Sequence, residues 1–217
     1  MNPLTLASQT PTSAVQLVVV LTLVSLLPAI VLLCTTFARF AIVFSFLKMG
    51  LGTQGAPPSQ ILVGLALFMT AFVMAPTAEK VHQAAIAPYL RGEMTEVKAL
   101  DAATPAIREF LLAHTRQEDL AVFYEVSTTA RPQTADDVPL RIAVPAFALS
   151  ELRTAFTMGL VLLLPFLVID LVAATVLSSL GMMMLPPAVV AIPLKLLIFV
   201  SVDGWRLLVS SLLKGVM

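Results

Sequence analysis

Apolar and polar positions divide the chain into long hydrophobic runs and one polar segment. Apolar residues dominate 15–47, 61–75 and 140–202, and charges occur there only at isolated positions. A helix needs about 20 apolar residues to cross a bilayer. Prolines inside the runs, such as Pro28, remove helix hydrogen bonds and kink or break the helix. The pattern predicts an all-α integral membrane protein with about four broken or kinked apolar helical segments.

The polar segment, Thr77 to Pro139, holds most of the charged residues, with acids and bases mixed. This mixture predicts a small helical domain inserted between the second and third apolar segments. We expect Pro76 to end the helix before it. The spacing of Thr115 and Glu118 is that of a capping box, which predicts a helix from there to about Val126.

A further helix in the polar segment is predicted to begin at Thr104-Pro105, because proline is favoured at the first helical position. Its apolar residues Ile107, Phe110 and Leu111 share one face. These spacings predict that the segment is a compact helical unit.

The pattern divides the chain into four parts. We expect a flexible tail at 1–14, a first membrane hairpin at 15–76, an extracytoplasmic helical domain at 77–139 and a second membrane hairpin at 140–217. The short loop after the first run carries Lys48, so the positive-inside rule places that loop in the cytoplasm and 77–139 on the other face.

Composition supports the membrane class and excludes others. Of the 217 residues, 59% are apolar and 12% are charged, with a mean hydropathy of +0.96, whereas soluble domains hold about 25% charged residues. The net charge is zero, so nothing indicates a nucleic-acid partner. The single cysteine, Cys34, excludes an internal disulfide. His82 and His114 lack metal-ligand spacing and are expected to be solvated, and no catalytic motif, metal site or cofactor site is predicted.

Four charged residues lie at membrane level: Glu151, Arg153, Asp170 and Lys195. An unpaired charge there costs about 2.5–3.5 kcal/mol or more. We expect Lys195 to pair with Asp170 or Glu151 across a subunit boundary; the alternative is an ion pair that only fixes helix packing. Glu151 and Arg153 are two positions apart, so they point to different sides of a helix and each needs its own partner.

The turn between the last two apolar runs is uncharged. It contains Gly181, Met182, Met183, Met184, Leu185, Pro186 and Pro187. Gly181 is suited to end a helix, and the two prolines cannot continue one. The three methionines either fill a core or form a deformable seal, for which an unbranched thioether is well suited. Three successive methionines cannot all face one core, so we favour the seal.

Several strings in the chain resemble the FliP family of flagellar export gates, called SctR in virulence secretion systems. In the second half they are Asp137-Val-Pro-Leu-Arg141, Pro145-Ala-Phe147, Ser150-Glu-Leu152, Thr154-Ala-Phe156, Pro165-Phe-Leu-Val-Ile-Asp-Leu171, the Gly181–Pro187 turn and Val202-Asp-Gly-Trp205. In the first half they are Leu51-Gly-Thr-Gln54, Gly64-Leu-Ala-Leu-Phe68 and Met74-Ala-Pro76. Arg108-Glu-Phe110 and Asp119-Leu-Ala121 resemble the flagellar members more than the virulence members.

The resemblance implies a pore-forming subunit that passes unfolded flagellar proteins across the bacterial inner membrane. Such a subunit forms a homo-pentamer with FliQ-like and FliR-like membrane proteins, and Met182, Met183 and Met184 form a gasket at its constriction. It implies no enzyme activity and no cofactor. The alternatives are an SctR-type subunit of a virulence system and a secondary transporter, which would carry an inverted repeat that the sequence does not show.

Overall fold

The computed structural model describes residues 18, 21–22, 25, 28–53, 55–127, 134–182 and 184–217. Within these ranges the chain forms helices and no strand, which confirms the all-α prediction. The predicted tail, 1–14, lies outside the described residues. The helices are α1 Pro28–Cys34, α2 Phe37–Leu51, α3 Ser59–Val81, α4 Ala87–Leu90, α5 Glu96–Ala113, α6 Gln117–Val126, α7 Leu140–Ser179, α8 Ala188–Ser201 and α9 Gly204–Lys214.

Two continuous helical stretches in the described ranges are long and apolar enough to cross a membrane. One is Ser59–Leu90, with 32 residues, and the other is α7, with 40 residues. Two bent pairs also qualify if each counts as one span: α1 with α2, bent by 83°, and α8 with α9, bent by 64°. The prediction of about four broken or kinked apolar segments is therefore confirmed.

Two predicted helix boundaries at prolines are wrong. Pro76 lies inside α3, and the helix continues through a π-helical turn, His82–Ile86, into α4. Pro105 lies inside α5, and the Thr104 hydroxyl donates back to the Leu100 carbonyl at 2.9 Å instead of capping a helix start. Because α3 and α5 pack against each other, tertiary packing offsets the roughly 3 kcal/mol that an internal proline costs.

Helix α6 covers the predicted range, but its start is not the predicted capping box. The Thr115 hydroxyl donates to the Leu111 carbonyl at 2.7 Å, so it does not cap α6. The N–H of Arg116 instead donates to the Ser150 hydroxyl of α7 at 3.0 Å. A neighbouring helix thus satisfies one of the backbone N–H groups at the start of α6, which have no partner within the helix.

The core lies where α2 packs along α7, and two glycine–phenylalanine contacts define the fit. A Cβ added to Gly50 of α2 would lie 2.5 Å from the Phe166 ring of α7. A Cβ added to Gly159 of α7 would lie 2.3 Å from the Phe46 ring of α2. In each helix a glycine therefore leaves room for a phenylalanine ring of the other helix, and these two contacts fix the position of α2 along α7.

The polar segment packs on this core instead of forming a separate one. Phe110 and Leu111 are buried, as the sequence predicts, and Phe110 contacts Phe147 of α7 with 5.8 Å between ring centroids. The predicted solvated state is correct for His82, which is exposed, but wrong for His114. The His114 ring nitrogens lie 2.8 Å from the Phe110 carbonyl and 2.9 Å from the Val216 carbonyl. The ring therefore joins α5 to the backbone just after α9.

Candidate functional site

The methionine turn, Gly181–Pro187, begins at a well-defined helix end. Gly181 has a φ of 75°, in the left-handed region that favours glycine. Its N–H donates to the Ser178 carbonyl at 3.1 Å, and the Met182 N–H donates to the Leu177 carbonyl at 2.9 Å. This pair of bonds is a Schellman motif, which satisfies carbonyls at the end of α7 and turns the chain away from the helix axis.

The prolines lie at the end of the turn, where Pro187 already has helical backbone angles instead of the extended ones expected. The Leu185 N–H donates to the Met182 carbonyl at 3.2 Å, which closes the loop on itself. Pro187 immediately precedes α8, and its carbonyl accepts from the Ala191 N–H at 2.9 Å. The methionines are therefore held on a short connection between two helices, and local hydrogen bonds determine its shape.

The described methionines of the turn do not pack into the chain's own core. Met182 is 45% exposed and Met184 is 99% exposed. Met183 lies outside the described residues. Among the described residues other than Gly181 and its two chain neighbours, none has a heavy atom within 4 Å of the position that a Gly181 Cβ would take. Core filling within one chain therefore does not explain Met182 and Met184.

Lys195 is 4% exposed and joins three helices. Its Nζ lies 2.7 Å from Asp170 Oδ2 of α7 and 2.9 Å from the Gly50 carbonyl in the last turn of α2. The partner predicted across a subunit boundary thus lies in the same chain. Asp170 is nine residues before the end of α7 and Lys195 is seven after the start of α8, or about 14 and 11 Å along the helices. The turn therefore returns Lys195 to the level of Asp170.

Glu151 pairs with Arg39 of α2 and not with Lys195. Arg39 and Glu151 are 4% and 1% exposed, and the guanidinium binds the carboxylate through both oxygens, with Nε 2.8 Å from Oε2. Arg39 also donates to the Gly215 carbonyl at 2.8 Å. One buried ion pair thereby joins α2, the first half of α7 and the backbone after α9.

Arg153 has a separate partner, as the two-residue spacing from Glu151 predicts. Its Nη1 lies 3.0 Å from Glu118 Oε2 and 3.6 Å from Asp119 Oδ1 on α6. Asp119 is buried and accepts a 2.6 Å hydrogen bond from Ser150. This second network fixes α6 on α7 at the surface of the bundle.

The structure thus brings the predicted site residues together in three places, not one. The first place is the methionine turn, and the second is the Lys195–Asp170 ion pair. The third is the first half of α7, where Glu151 and Arg153 each pair with a residue of a different helix. The sequence reasoning missed Arg39 and Asp119 as their partners. The available signal was Arg39 itself, the first cation in the chain and an isolated charge in an apolar run.

Comparison with known proteins identifies the family. A model of the FliP family matches residues 20–212. The chain belongs to the FliP family. The flagellar biosynthetic protein FliP of Bacillus subtilis (strain 168) is 47% identical over 203 residues, which cover 94% of this chain and 92% of that protein. FliP of Caulobacter vibrioides is 48% identical over 201 residues, covering 93% and 76%. FliP of Aquifex aeolicus is 38% identical over 204 residues, covering 93% and 85%.

Family membership confirms the resemblance found in the sequence. FliP proteins are structural components of the flagellar export apparatus and not enzymes, so the prediction of no catalytic step is also confirmed. A secondary transporter is excluded as the chain's class. The apolar helices and the family together are consistent with a membrane location.

Proposed function

We propose that this chain is a pore-forming subunit of the flagellar protein export gate in the bacterial inner membrane. The observation that carries the proposal is the methionine turn, which presents apolar side chains outward on a locally fixed backbone. A soluble loop at this place would be polar, and a core segment would be buried. Apolar side chains that are exposed in one copy need a surface or further copies to cover them.

The helices that lead to the turn favour assembly with other chains. Large apolar side chains remain exposed on both legs, including Leu164, Leu171 and Val176 on α7 and Leu197 and Val200 on α8. Lipid can cover part of this surface, and subunits can cover the rest. We propose a homo-pentamer joined by FliQ-like and FliR-like membrane proteins, with the polar segment, 77–139, on the extracytoplasmic face.

In this assembly the turns of all copies converge on the pore axis. Met182, Met183 and Met184 of each copy close the resting pore, because flexible thioether side chains fill irregular gaps. An unfolded flagellar protein passes when they move aside. The ion pairs at Lys195 and Glu151 hold the helical frame while the side chains of the turn deform.

The test is to replace Met182, Met183 and Met184 together with alanine. Gly181 and the prolines remain, so the backbone turn is preserved and only the methionine side chains beyond Cβ are removed. We expect the complex to assemble at normal size, while small ions leak across the membrane, as seen by conductance or growth on high-salt medium. Met49→Ala is the matched control, because Met49 is 57% exposed but lies outside the turn. An assembled, export-competent triple variant as tight to ions as the parent would refute the seal.

A further inference from the structure

We propose that α9 is a hinged arm with two positions in the free chain. In the structure it is bent by 64° from α8 and bound at its far end to α2 and α5. In the second position it is released and continues α8 as one straight helix. The inference concerns the chain before it binds other copies, so it goes beyond the proposed gate and does not rest on it.

The joint of the arm is a single residue, Asp203, between the two helices. Its φ of 51° and ψ of 51° lie in the left-handed region, and among the described residues it is the only one other than glycine with a positive φ. The preceding residue, Val202, has a φ of −90° and a ψ of 9°, much nearer to helical values. A rotation at Asp203 with a small adjustment at Val202 therefore separates the bent backbone from a continuous helix.

The local backbone terms oppose the bend. A left-handed conformation is unfavourable for an L-residue. The first N–H groups of α9, which begins at Gly204, have no partner within the helix, and the Asp203 side chain makes no capping hydrogen bond to them. In a continuous helix these groups would donate to carbonyls in the last turn of α8. Straightening would thus add hydrogen bonds and remove a left-handed residue.

Contacts between helices hold the bend instead. The Phe199 ring lies against Gly204, where an added Cβ would be 2.4 Å from it. The same ring meets Trp205 edge-on, with 5.3 Å between the ring centroids. Leu208 and Leu212 of α9 are buried against the core. Because these contacts involve side chains only, they can be released without unfolding either helix.

The far end of the arm is held by side chains of two other helices. Arg39 of α2 donates to the Gly215 carbonyl at 2.8 Å, and Nε2 of His114, at the end of α5, lies 2.9 Å from the Val216 carbonyl. Between the joint and this end, α9 and α7 line an apolar groove of about 580 Å³ that no side chain of the described residues fills. Within one chain the packing of α9 on α7 is therefore incomplete, and the two carbonyl contacts act as its latch.

The test measures the bend as a distance in the purified full chain in detergent. Spin labels are attached to cysteines placed at Val189 on α8 and Lys214 on α9, with Cys34 replaced by serine. Along a straight helix these two positions lie about 38 Å apart. The 64° bend shortens this distance by about 7 Å, which double electron–electron resonance resolves.

Two substitutions at the joint should shift this distance in opposite directions. Asp203→Gly removes the cost of the left-handed conformation and should leave only the short distance. Asp203→Val raises that cost, because positive φ is least accessible to β-branched residues. The ratio of long to short distances should therefore rise about tenfold over that of the glycine variant. His114→Phe keeps a ring against Phe110 but removes the contact with Val216, and it should add to the effect of the valine.

The variants also define what would overturn the arm. Circular dichroism checks that each one is folded, and Asp203→Ala replaces Asp203→Val if the valine variant is not. A short distance alone in every variant, including the double variant of Asp203 and His114, would show that the bend is a rigid corner. A long distance in the parent that persists unchanged in Asp203→Gly would also overturn the proposal, because the joint would then lie elsewhere.

Discussion

The buried Arg39–Glu151 pair gives the sharpest test of how this fold is held together. Both side chains are almost fully buried, and the carboxylate accepts two hydrogen bonds from the guanidinium. Replacing Glu151 with glutamine keeps the shape but removes the charge. Arg39 then keeps its bond to the Gly215 carbonyl and loses its counter-charge. Removing one partner of a buried pair costs about 3–5 kcal/mol.

That loss is large against a typical total stability of about 5–15 kcal/mol. The purified chain in detergent can be unfolded with a denaturant while helix content is followed. We expect Glu151→Gln to lower the free energy of unfolding by several kcal/mol. The matched control is Arg153→Gln, two residues away on the same helix. Arg153 is 47% exposed and its nearer partner Glu118 is 82% exposed. The buried Asp119 lies farther away, at 3.6 Å, and keeps its hydrogen bond from Ser150, so we expect a smaller loss of about 1 kcal/mol.

A double variant separates the ion pair from simple damage to the core. Arg39→Met with Glu151→Leu replaces both charges with apolar side chains of similar length. Because such a replacement removes the desolvation cost of both ions, it should recover most of the lost stability. The reasoning is refuted if Glu151→Gln costs no more than Arg153→Gln, or if the double variant is less stable than Glu151→Gln alone.

Three further predictions follow from single contacts. Lys195→Ala should leave Asp170 without its counter-ion, separate α8 from α7 and reduce assembly, which native gel electrophoresis of the complex will detect; unchanged complexes would contradict this. Gly159→Leu should displace the Phe46 ring and destabilise the chain by about 1–3 kcal/mol, whereas Gly64→Leu, where a Cβ meets nothing within 4 Å, should be tolerated. Burial raises the pKa of the Tyr124 phenol above its ordinary value of 10.0. Its contribution to the free energy of unfolding is therefore present below pH 10.0 and is lost as pH rises through the pKa of the folded state. Tyr124→Phe should remove this alkaline loss of stability in denaturant titrations.

Features set by local sequence were predictable. The apolar runs follow from composition, and Gly181 with the two prolines determines the shape of the methionine turn within seven residues. The pairing of Asp170 with Lys195 was also predictable, because they lie at similar distances before and after the turn of one helical hairpin. The cost of a buried charge alone does not distinguish a pair within one chain from a pair between subunits, whereas the geometry of the hairpin favours the pair within the chain.

Features set by long-range packing were not predictable in the same way. Arg39 and Glu151 are separated by 112 residues, and no local pattern connects them. Pro76 and Pro105 are strong local signals for a helix boundary, yet both lie inside helices whose packing outweighs the local cost. Thr115 shows the same effect at a predicted cap, because its hydroxyl bonds back to the preceding helix while Ser150 of α7 satisfies the start of α6.

The positions of the ion pairs have a consequence for the proposed gate. Lys195 ties both legs of the methionine turn to the end of α2 within one chain. The depth of the turn is therefore set before any other copy binds, and a ring does not have to order these helices when it closes. Interfaces built from preorganised parts lose less conformational entropy on association. What remains free is the set of exposed methionine side chains, whose rotamers can adapt to neighbouring copies or to a passing chain. Fixed helices that carry flexible methionine side chains suit a seal that must close at one position and still let substrates of different sequence pass.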